Sequence, residues 1–477
     1  YRHMGLDEKH FMPYRTALAR ISFAKNHSQT PEEMAAAARD PKVKRLAAVW
    51  DEYEGRLRQA NALDFDDLLL EAVRLLHHND QLRALYNERI HHLLIDEYQD
   101  TNRSQYQLMR LLTEQRRNVC VVGDEDQSIY SWRGADIRNI LEFTRDFPDA
   151  VVVRLEQNYR STKNILEAAS HVVAHNRERL GKWLWTSAEA GPRVGLFEAA
   201  DGEQEALFVA DEIERILARR PDQRIAILYR TNAQSRQFEE ALRRYGRPYH
   251  VVGGFSFYQR AEIKDVLAYL KVLLSPQDSV SLQRIINTPA RGIGRTTLEQ
   301  IEAFAIERRI SLWEALEAIV GQGRLGVRAE AAVTAFRRLI EELREKAREL
   351  SVEGVIRLVL ERTGYLKMLE ADDTPEGESR RENLQELVNA AAEAAERGET
   401  LAEFLDHAAL VSEADTLDER AQILLLTLHN AKGLEFPVVF ITGLEDGLFP
   451  HARSVDSPQA LEEERRLFYV GMTRAQQ

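Results

Sequence analysis

Cysteine and long apolar runs are scarce in this sequence. Its 477 residues contain one cysteine, Cys120, which excludes a disulfide framework and a metal cluster built from cysteines. No stretch approaches about 18 uncharged apolar residues, so the sequence predicts no membrane-spanning helix. Residues 1–4 do not open an apolar signal region. Together these absences favour a protein of a reducing compartment.

Positive charge is not in excess. The chain has 64 Lys and Arg against 77 Asp and Glu, a formal net charge of −13, which argues against indiscriminate coating of nucleic acid. A local basic groove is still compatible with this total, because the total does not say where the charges lie. Hydrophobic residues make up 44%, as in packed globular proteins. At about 100–200 residues per domain, the length predicts two to four domains.

Short apolar runs separated by helical segments predict an open α/β sheet. We predict strands at 92–95, 118–122, 150–155, 224–229, 249–252, 422–427 and 437–442. Each run is bounded by charged or turn residues, as buried parallel strands are. We predict helices across most of 1–60 and 62–116 and over about 234–245 and 459–475.

The strand signals disappear between about 260 and 416. An apolar stripe at spacings of three and four predicts an amphipathic helix there, and it comprises Val333, Phe336, Ile340, Leu343, Ala347 and Leu350. Residues 370–379 contain Pro375 and Gly377 and are predicted to form an exposed loop. The pattern predicts an α/β unit that is split by a helical insert.

Two carboxylates, Asp96 and Glu97, directly follow the first predicted strand. In open α/β sheets, ligands bind at the carboxyl ends of strands. One carboxylate can hold Mg²⁺, usually through water, because Mg²⁺ prefers hard oxygen ligands. The other can orient or deprotonate a water for attack on a phosphoryl group. The alternative is a strand-to-helix turn with solvated acids.

The second strand is followed by Gln127 and then by Tyr130, Trp132 and Arg133 in a loop bounded by glycine. A neutral amide such as Gln127 can sense a terminal phosphate by hydrogen bonding. Aromatic rings beside an arginine suit the stacking of bases of a single strand, although core packing is the alternative.

Two arginines are candidates for phosphate contacts. Arg160 follows the third predicted strand, where its planar fork can grip phosphate oxygens in pairs. Arg474 lies on the last predicted helix and would be an arginine finger if it pointed from a second α/β unit at a phosphate in the first. The alternative for Arg474 is a surface charge.

Five segments, in this order along the chain, resemble motifs II to VI of the superfamily 1 DNA helicases of the UvrD/PcrA/Rep type. They are residues 96–102, 123–135, 157–162, 427–436 and 463–475. The resemblance covers nearly the whole chain, and segments within 229–236 and 253–265 resemble accessory motifs. It implies an α/β fold with two RecA-like P-loop NTPase motor domains, the first incomplete, and inserted helical accessory subdomains.

The resemblance also implies a division of the chain into five parts. They are a helical accessory subdomain of the first motor domain (1–62), the first motor domain with motifs II and III (63–147), a first segment of the second motor domain with motif IV (148–259), a helical accessory subdomain of the second motor domain (260–416) and a second segment with motifs V and VI (417–477). The implied activity is ATP-dependent 3′ to 5′ translocation and DNA unwinding in repair or replication, in the bacterial cytoplasm or nucleoid.

Roles for single residues are implied by the same resemblance. Asp96 would coordinate Mg²⁺, Glu97 would be the general base, and Gln127 would contact the γ-phosphate of ATP. For the nucleotide, Tyr159 would stack on adenine, Arg160 and Arg474 would reach the γ-phosphate, Glu435 would hold the ribose and Gly433 would line the cleft. For DNA, the implied contacts are Tyr130, Trp132, Arg133, Thr427 and His429.

A loop in the helical insert carries a further candidate site, Arg291-Gly292-Ile293-Gly294-Arg295. Two glycines in a tight loop before a helix expose backbone N–H groups that can bind a phosphate, and Arg291 and Arg295 would add charge. By resemblance, Arg291, Gly292, Gly294 and Arg295 touch duplex DNA ahead of the fork. A plain helix-joining turn is the alternative.

The phosphate-binding loop of that family, Gly-x-x-x-x-Gly-Lys-Ser/Thr, does not occur in these residues, since Gly181-Lys182 is preceded by Asn176 where the pattern needs glycine. We therefore expect a portion of a longer helicase that is not ATPase-competent without the missing N-terminal portion. Expected partners are single-stranded DNA, single-strand/duplex junctions and repair or replication proteins, with no membrane. The alternative is a non-catalytic DNA- or partner-binding fragment of a helicase or helicase–nuclease.

Overall fold

The computed structural model describes residues 1, 4–6, 11–414 and 421–477. The predicted boundary at 416/417 and residues 2–3 of the predicted N-terminal pattern lie outside the described residues. The helices are α1 (Tyr14–Asn26), α2 (Pro31–Ala37), α3 (Pro41–Gln59), α4 (Phe65–His78), α5 (Asp80–Arg89), α6 (Arg103–Leu112), α7 (Arg138–Leu141), α8 (Phe143–Asp146), α9 (Lys163–Val173), α10 (Gly202–Arg219), α11 (Ser235–Arg244), α12 (Ala261–Leu274), α13 (Ser279–Ile285), α14 (Arg295–Arg308), α15 (Leu312–Ala318), α16 (Val327–Ala347), α17 (Val352–Arg362), α18 (Tyr365–Glu370), α19 (Pro375–Glu396), α20 (Leu401–Ala414) and α21 (Pro458–Met472).

The strands are β1 (Leu93–Ile95), β2 (Val119–Val121), β3 (Ile225–Tyr229), β4 (Tyr249–Val251), β5 (Ile423–Thr427) and β6 (Val438–Ile441). The residues form two compact units. The first unit comprises Tyr1–Ala200, Arg215–Arg230 and Thr427–Gln477, and the second comprises Asp201–Glu214 and Thr231–Leu426. Within the described ranges, no helix combines the length and the apolarity that crossing a bilayer requires.

The first unit contains two parallel strand pairs. Strand β1 pairs with β2 so that Ile95 lies opposite Val121, and β3 pairs with β6 so that Leu228 lies opposite Ile441. All five residues of β3 are buried, which explains its continuous apolar sequence. Because β1 and β2 are parallel neighbours, the residues after Ile95 and those after Val121 emerge at the same sheet edge.

The second unit contains the predicted helical insert. Helices α12 to α20 follow one another, and no strand interrupts residues 261–414. Four residues of the predicted stripe, Val333, Phe336, Ile340 and Leu343, are buried on α16 in a large apolar core. Leu350 lies beyond the end of α16 and is 44% exposed. In the same unit, β4 pairs in parallel with β5.

Two predicted elements are wrong. Residues 150–155 form no strand: Val151 is 89% exposed and Leu155 is 76% exposed, because no strand of the described residues pairs with this run. β-Branched composition favours a strand only when a sheet covers it. The loop predicted at 370–379 is shorter, because α19 already begins at Pro375. Thr374 Oγ1 accepts a hydrogen bond from Gly377 N at 3.0 Å, and proline is favourable at the first helical position.

Candidate active site

The acidic pair lies on a sharp turn at the end of β1. Glu97 has a left-handed backbone with φ of 50°, and its N–H donates to Asp96 Oδ1 at 2.8 Å. The turn is tied to the neighbouring strand by Tyr98 N, which donates to Val122 O at 3.0 Å. This geometry leaves both carboxylates exposed at the sheet edge, as the sequence predicts.

Gln99 joins this turn to the one that follows β2. Its side chain donates from Nε2 to Glu97 Oε2 at 2.6 Å and accepts at Oε1 from Asp124 N at 2.9 Å. A Cβ at Gly123 would stand 2.6 Å from Gln99 Oε1, so only glycine fits there. Gln99 is fully buried and was not singled out from the sequence, where it is one polar residue among several in the motif.

Asp96 suits Mg²⁺. Its Oδ1 accepts from the turn itself, whereas its Oδ2 has no hydrogen-bond partner among the described residues. An exposed carboxylate oxygen at a strand end matches the preference of Mg²⁺ for hard oxygen ligands and retained waters.

Arg474 is a buried guanidinium group that has no acidic partner among the residues the structure describes. It is 3% exposed and donates to Val470 O, Leu434 O and Thr473 Oγ1 at 3.0, 3.3 and 3.1 Å. Its Nη2 also lies 3.5 Å from Gln127 Oε1. Within the described part of the chain Arg474 forms no ion pair, and burial together with the nearby charge of Arg160 lowers its pKa to about 10. A buried cation with neutral acceptors is suited to an anionic ligand.

Arg160 and Glu435, two predicted nucleotide contacts, pair with each other. Arg160 Nε donates to Glu435 Oε2 at 2.8 Å, and this hydrogen bond lowers the pKa of the Glu435 carboxyl. Tyr159, beside Arg160, is 83% exposed, and Gly433 has φ of 83°. The structure thus brings the predicted nucleotide residues of segments 157–162 and 427–436 together.

Lys432 is a site residue that the sequence did not reveal. Its Nζ donates to Asp100 Oδ2 and, at 2.7 Å, to the backbone oxygen of Gln127, and it lies 3.6 Å from Glu97 Oε2. Burial raises the pKa of the Asp100 carboxyl, and the charge of Lys432 opposes that shift. The feature of the sequence that could have pointed to Lys432 is its position beside Gly433 and Glu435 in the motif.

The predicted DNA residues form an aromatic cluster in the first unit. The Arg133 guanidinium carbon lies 4.6 Å from the Trp132 ring centre and 5.2 Å from that of Tyr130. His429 completes the cluster at 6.3 Å from Trp132 and 6.2 Å from Tyr130. Burial lowers the pKa of His429 to about 4, so this ring is neutral at physiological pH. Thr427 Oγ1 instead accepts from Asn430 N at 3.3 Å and holds the local turn.

Helix α21 anchors the loop that carries these aromatics. Arg466 Nε donates to Ser128 O at 2.8 Å, and Ser131 N donates to Glu463 Oε1 at 3.2 Å. The same helix leads into Arg474. Glu463 and Arg466 lie in a motif segment, but the sequence gave no sign of these contacts.

The Gly292–Gly294 loop lies in the second unit, before α14. Gly292 has φ of 85°, and the exposed side chain of Arg295 forms an ion pair with its helix neighbour Glu299. The guanidinium group of Arg291 donates inward, to Pro289 O at 2.9 Å and to Ile285 O at 3.1 Å. Its other guanidinium nitrogen donates to Tyr269 Oη at 2.5 Å and to Thr363 O at 3.3 Å, so Arg291 braces the loop. The DNA contact of this loop stays a prediction.

Parallel strands that end in acidic turns, a buried arginine beside Gln127 and a helical insert are the features expected of a RecA-like motor protein. Residues 2–148 match the UvrD/REP helicase N-terminal domain, and residues 153–477 match the UvrD-like helicase C-terminal domain. The chain therefore belongs to the UvrD-like helicase family. The predicted fold class, α/β with RecA-like motor domains and helical subdomains, is confirmed.

Named relatives are similar over almost the whole chain. The "ATP-dependent DNA helicase PcrA" of Bacillus subtilis (strain 168) is 43% identical over 99% of this chain and 65% of its own length. The "ATP-dependent DNA helicase UvrD1" of Mycobacterium bovis is 46% identical over 100% of this chain and 66% of its own length. The "ATP-dependent DNA helicase PcrA" of Staphylococcus epidermidis is 42% identical over 99% of this chain and 66% of its own length. The chain thus spans just under two thirds of the length of these relatives.

Proposed function

We propose that the complete protein is an ATP-dependent DNA helicase that moves 3′ to 5′ on single-stranded DNA and unwinds duplex in repair or replication. The observation that carries the proposal is Arg474, a buried cation with no acidic partner among the described residues, 3.5 Å from Gln127. A γ-phosphate is the kind of ligand that would satisfy it, because phosphoryl transfer depends on positioning and charge neutralisation.

In this proposal each side chain of the site has one task. Glu97 takes the proton of the attacking water, and Gln127 contacts the γ-phosphate. When ATP binds, Arg160 leaves the Glu435 carboxylate and contacts the γ-phosphate, so that Glu435 can hold the ribose. Tyr159 stacks on the adenine, and Gly433 lines the nucleotide cleft. Asp96 would hold Mg²⁺, which neutralises phosphate charge when bound.

DNA contacts complete the proposal. The partly exposed rings of Tyr130 and Trp132, with Arg133 against them and His429 beside them, suit stacking on successive bases. Thr427 would act through the turn that it holds. The loop of Arg291, Gly292, Gly294 and Arg295 would contact duplex DNA. The proposed substrate is a single-strand/duplex junction, and the proposed location is the bacterial cytoplasm. The five-part division at 62, 147, 259 and 416 belongs to the same proposal.

A second candidate applies to these 477 residues by themselves. They contain no Gly-x-x-x-x-Gly-Lys-Ser/Thr sequence, which supplies the main grip on β- and γ-phosphates. We propose that alone they bind DNA without turning over ATP, and that addition of a phosphate-loop portion restores turnover. Robust DNA-stimulated hydrolysis by the isolated chain would contradict this.

The test uses the complete protein as it is encoded. ATP hydrolysis is measured with and without single-stranded DNA, and unwinding is measured on duplexes with a 3′ or a 5′ tail. We expect stimulation by DNA and unwinding of the 3′-tailed duplex. Glu97→Gln should keep ATP and DNA binding and lose turnover by about 10²- to 10⁴-fold, since it keeps the shape but removes the base.

The matched control is Glu88→Gln, which changes an exposed glutamate of α5 and should behave as wild type. Hydrolysis that DNA does not stimulate, or an active Glu97→Gln variant, would count against the proposal. Unwinding of only the 5′-tailed duplex would reverse the proposed polarity.

A further inference from the structure

Lys432 is a buried ammonium group that contacts three parts of the site. Only 7% of its side-chain surface is exposed. Besides its contacts with Asp100, the Gln127 carbonyl and Glu97, its Nζ lies 5.2 Å from the centre of the Tyr130 ring. One cation therefore contacts the turn of the acidic pair, the turn of Gln127 and the aromatic cluster.

The contacts of Lys432 are unequal, which makes its position adjustable. An ammonium group has three N–H donors, of which Asp100 Oδ2 and Gln127 O take two. Glu97 Oε2, at 3.6 Å, is within reach of an ion pair but beyond a hydrogen bond. Asp100 Oδ1 is buried and has no hydrogen-bond partner in the part of the chain that the structure describes. A small turn of the ammonium group can therefore exchange one acceptor for another.

The carboxylate of Glu97 has little else to orient it. Its partners among the described residues are Gln99 Nε2, at 2.6 Å, and Lys432. Because the ammonium group lies near the face of the Tyr130 ring, a base that displaces this ring also displaces the charge. Movement of the charge changes the direction in which the Glu97 carboxylate is held.

We propose that Lys432 is a positioning residue that links base stacking on Tyr130 to the placement of the Glu97 carboxylate. This inference rests on the function proposed above and adds to it a route by which DNA stimulates hydrolysis. Lys432 itself touches neither the water nor the phosphate in this proposal.

The test compares Lys432→Met, which removes the charge and keeps the aliphatic stem, with Lys432→Arg, which keeps the charge. The complete protein is assayed for kcat of ATP hydrolysis with and without single-stranded DNA, and for the Kd of a labelled oligonucleotide. We expect Lys432→Met to lower the ratio of stimulated to basal kcat about tenfold while the Kd changes less than about threefold. Lys432→Arg should recover most of the ratio, and Lys42→Met, an exposed lysine of α3, is the matched control.

A double-mutant cycle tests the link to the acidic turn. Asp100→Asn removes the main acceptor of Lys432, so the double variant should have a ratio no lower than that of Lys432→Met alone. Four results would overturn the inference. They are additive losses in the double variant, an unchanged ratio in Lys432→Met, no recovery of the ratio in Lys432→Arg, and DNA binding that weakens by as large a factor as the stimulated rate falls. A wild-type protein without DNA-stimulated hydrolysis would instead overturn the proposed function, so the two failures are distinguishable.

Discussion

The guanidinium group of Arg474 lies 3.5 Å from the side-chain oxygen of Gln127, although 347 positions separate them in the sequence. Both belong to the first unit, where the end of the chain returns to the turn after β2. The contact joins a residue predicted to sense the γ-phosphate to one predicted to neutralise it. An anion bound there would reach both side chains.

Removal of the Arg474 charge should abolish most turnover. Arg474→Ala should lower kcat for ATP by about 10³-fold or more, as the loss of an arginine finger does, because it removes the buried guanidinium group beside Gln127. The measurement is steady-state hydrolysis by the complete protein with saturating DNA. Arg145→Ala, an exposed residue that pairs with Glu142, is the control, and equal rates for both variants would refute the role.

Trp132 should contribute to DNA binding by stacking. Trp132→Ala should weaken single-stranded DNA binding by about 1–3 kcal/mol and reduce DNA-stimulated hydrolysis more than basal hydrolysis. Fluorescence anisotropy of a labelled oligonucleotide gives the affinity. Trp183→Ala is matched in exposure, at 50% against 47%, and should leave affinity unchanged. Equal loss of basal and stimulated rates would indicate a structural role for Trp132.

The two arginines of the Gly292–Gly294 loop should have opposite effects. Arg295→Ala should weaken duplex binding without loss of stability, because the side chain is 92% exposed. Arg291→Ala should destabilise the fold by about 1–3 kcal/mol, because it removes the hydrogen bonds of the guanidinium group to Pro289 O, Tyr269 Oη and Thr363 O. Thermal unfolding and duplex affinity are measured for both variants. Normal stability in Arg291→Ala would contradict the bracing role.

Arg236 should be a major stabilising residue of the second unit. It is 1% exposed and pairs with Glu240, Glu386 and Glu393, joining α11 to α19. Arg236→Met leaves three carboxylates without their partner and should cost about 3–5 kcal/mol of unfolding free energy. Urea unfolding monitored by circular dichroism measures it. Arg348→Met, in an exposed pair with Glu345, should change stability by less than about 0.5 kcal/mol.

His429 should make stability depend on pH. Burial lowers its pKa from 6.5 to about 4, so the unfolded state binds the proton more readily. Its share of stability is therefore present above pH 6.5 and is lost as pH falls toward 4, by up to about 3 kcal/mol. The urea concentration at the midpoint of unfolding is measured at about pH 7.5 and at about pH 5. The decrease between the two pH values should be larger for wild type than for His429→Asn. An equal decrease of the midpoint in wild type and His429→Asn would exclude His429 as the source of the pH dependence.

Local sequence determined most of the elements of this protein. Strands β1, β2, β3, β4, β5 and β6 lie within runs predicted from short apolar segments. The reason is clearest for β3, which is buried at all five residues and therefore needs apolar side chains on both faces. The helical insert was predictable because periodic apolar residues must face a core. The acidic pair followed from its position after a strand, and the family from five motifs in order.

Tertiary structure alone decided which partners these residues have. The run at 150–155 has the composition of a strand but no neighbour to pair with it, and Pro375 begins a helix because Thr374 caps it. Arg291 and Arg295 look alike in the sequence, yet one is bonded inward and the other is exposed. Lys432 meets Asp100 across 332 positions. Contacts between distant segments depend on how the chain packs in three dimensions, and local sequence patterns carry no record of that packing.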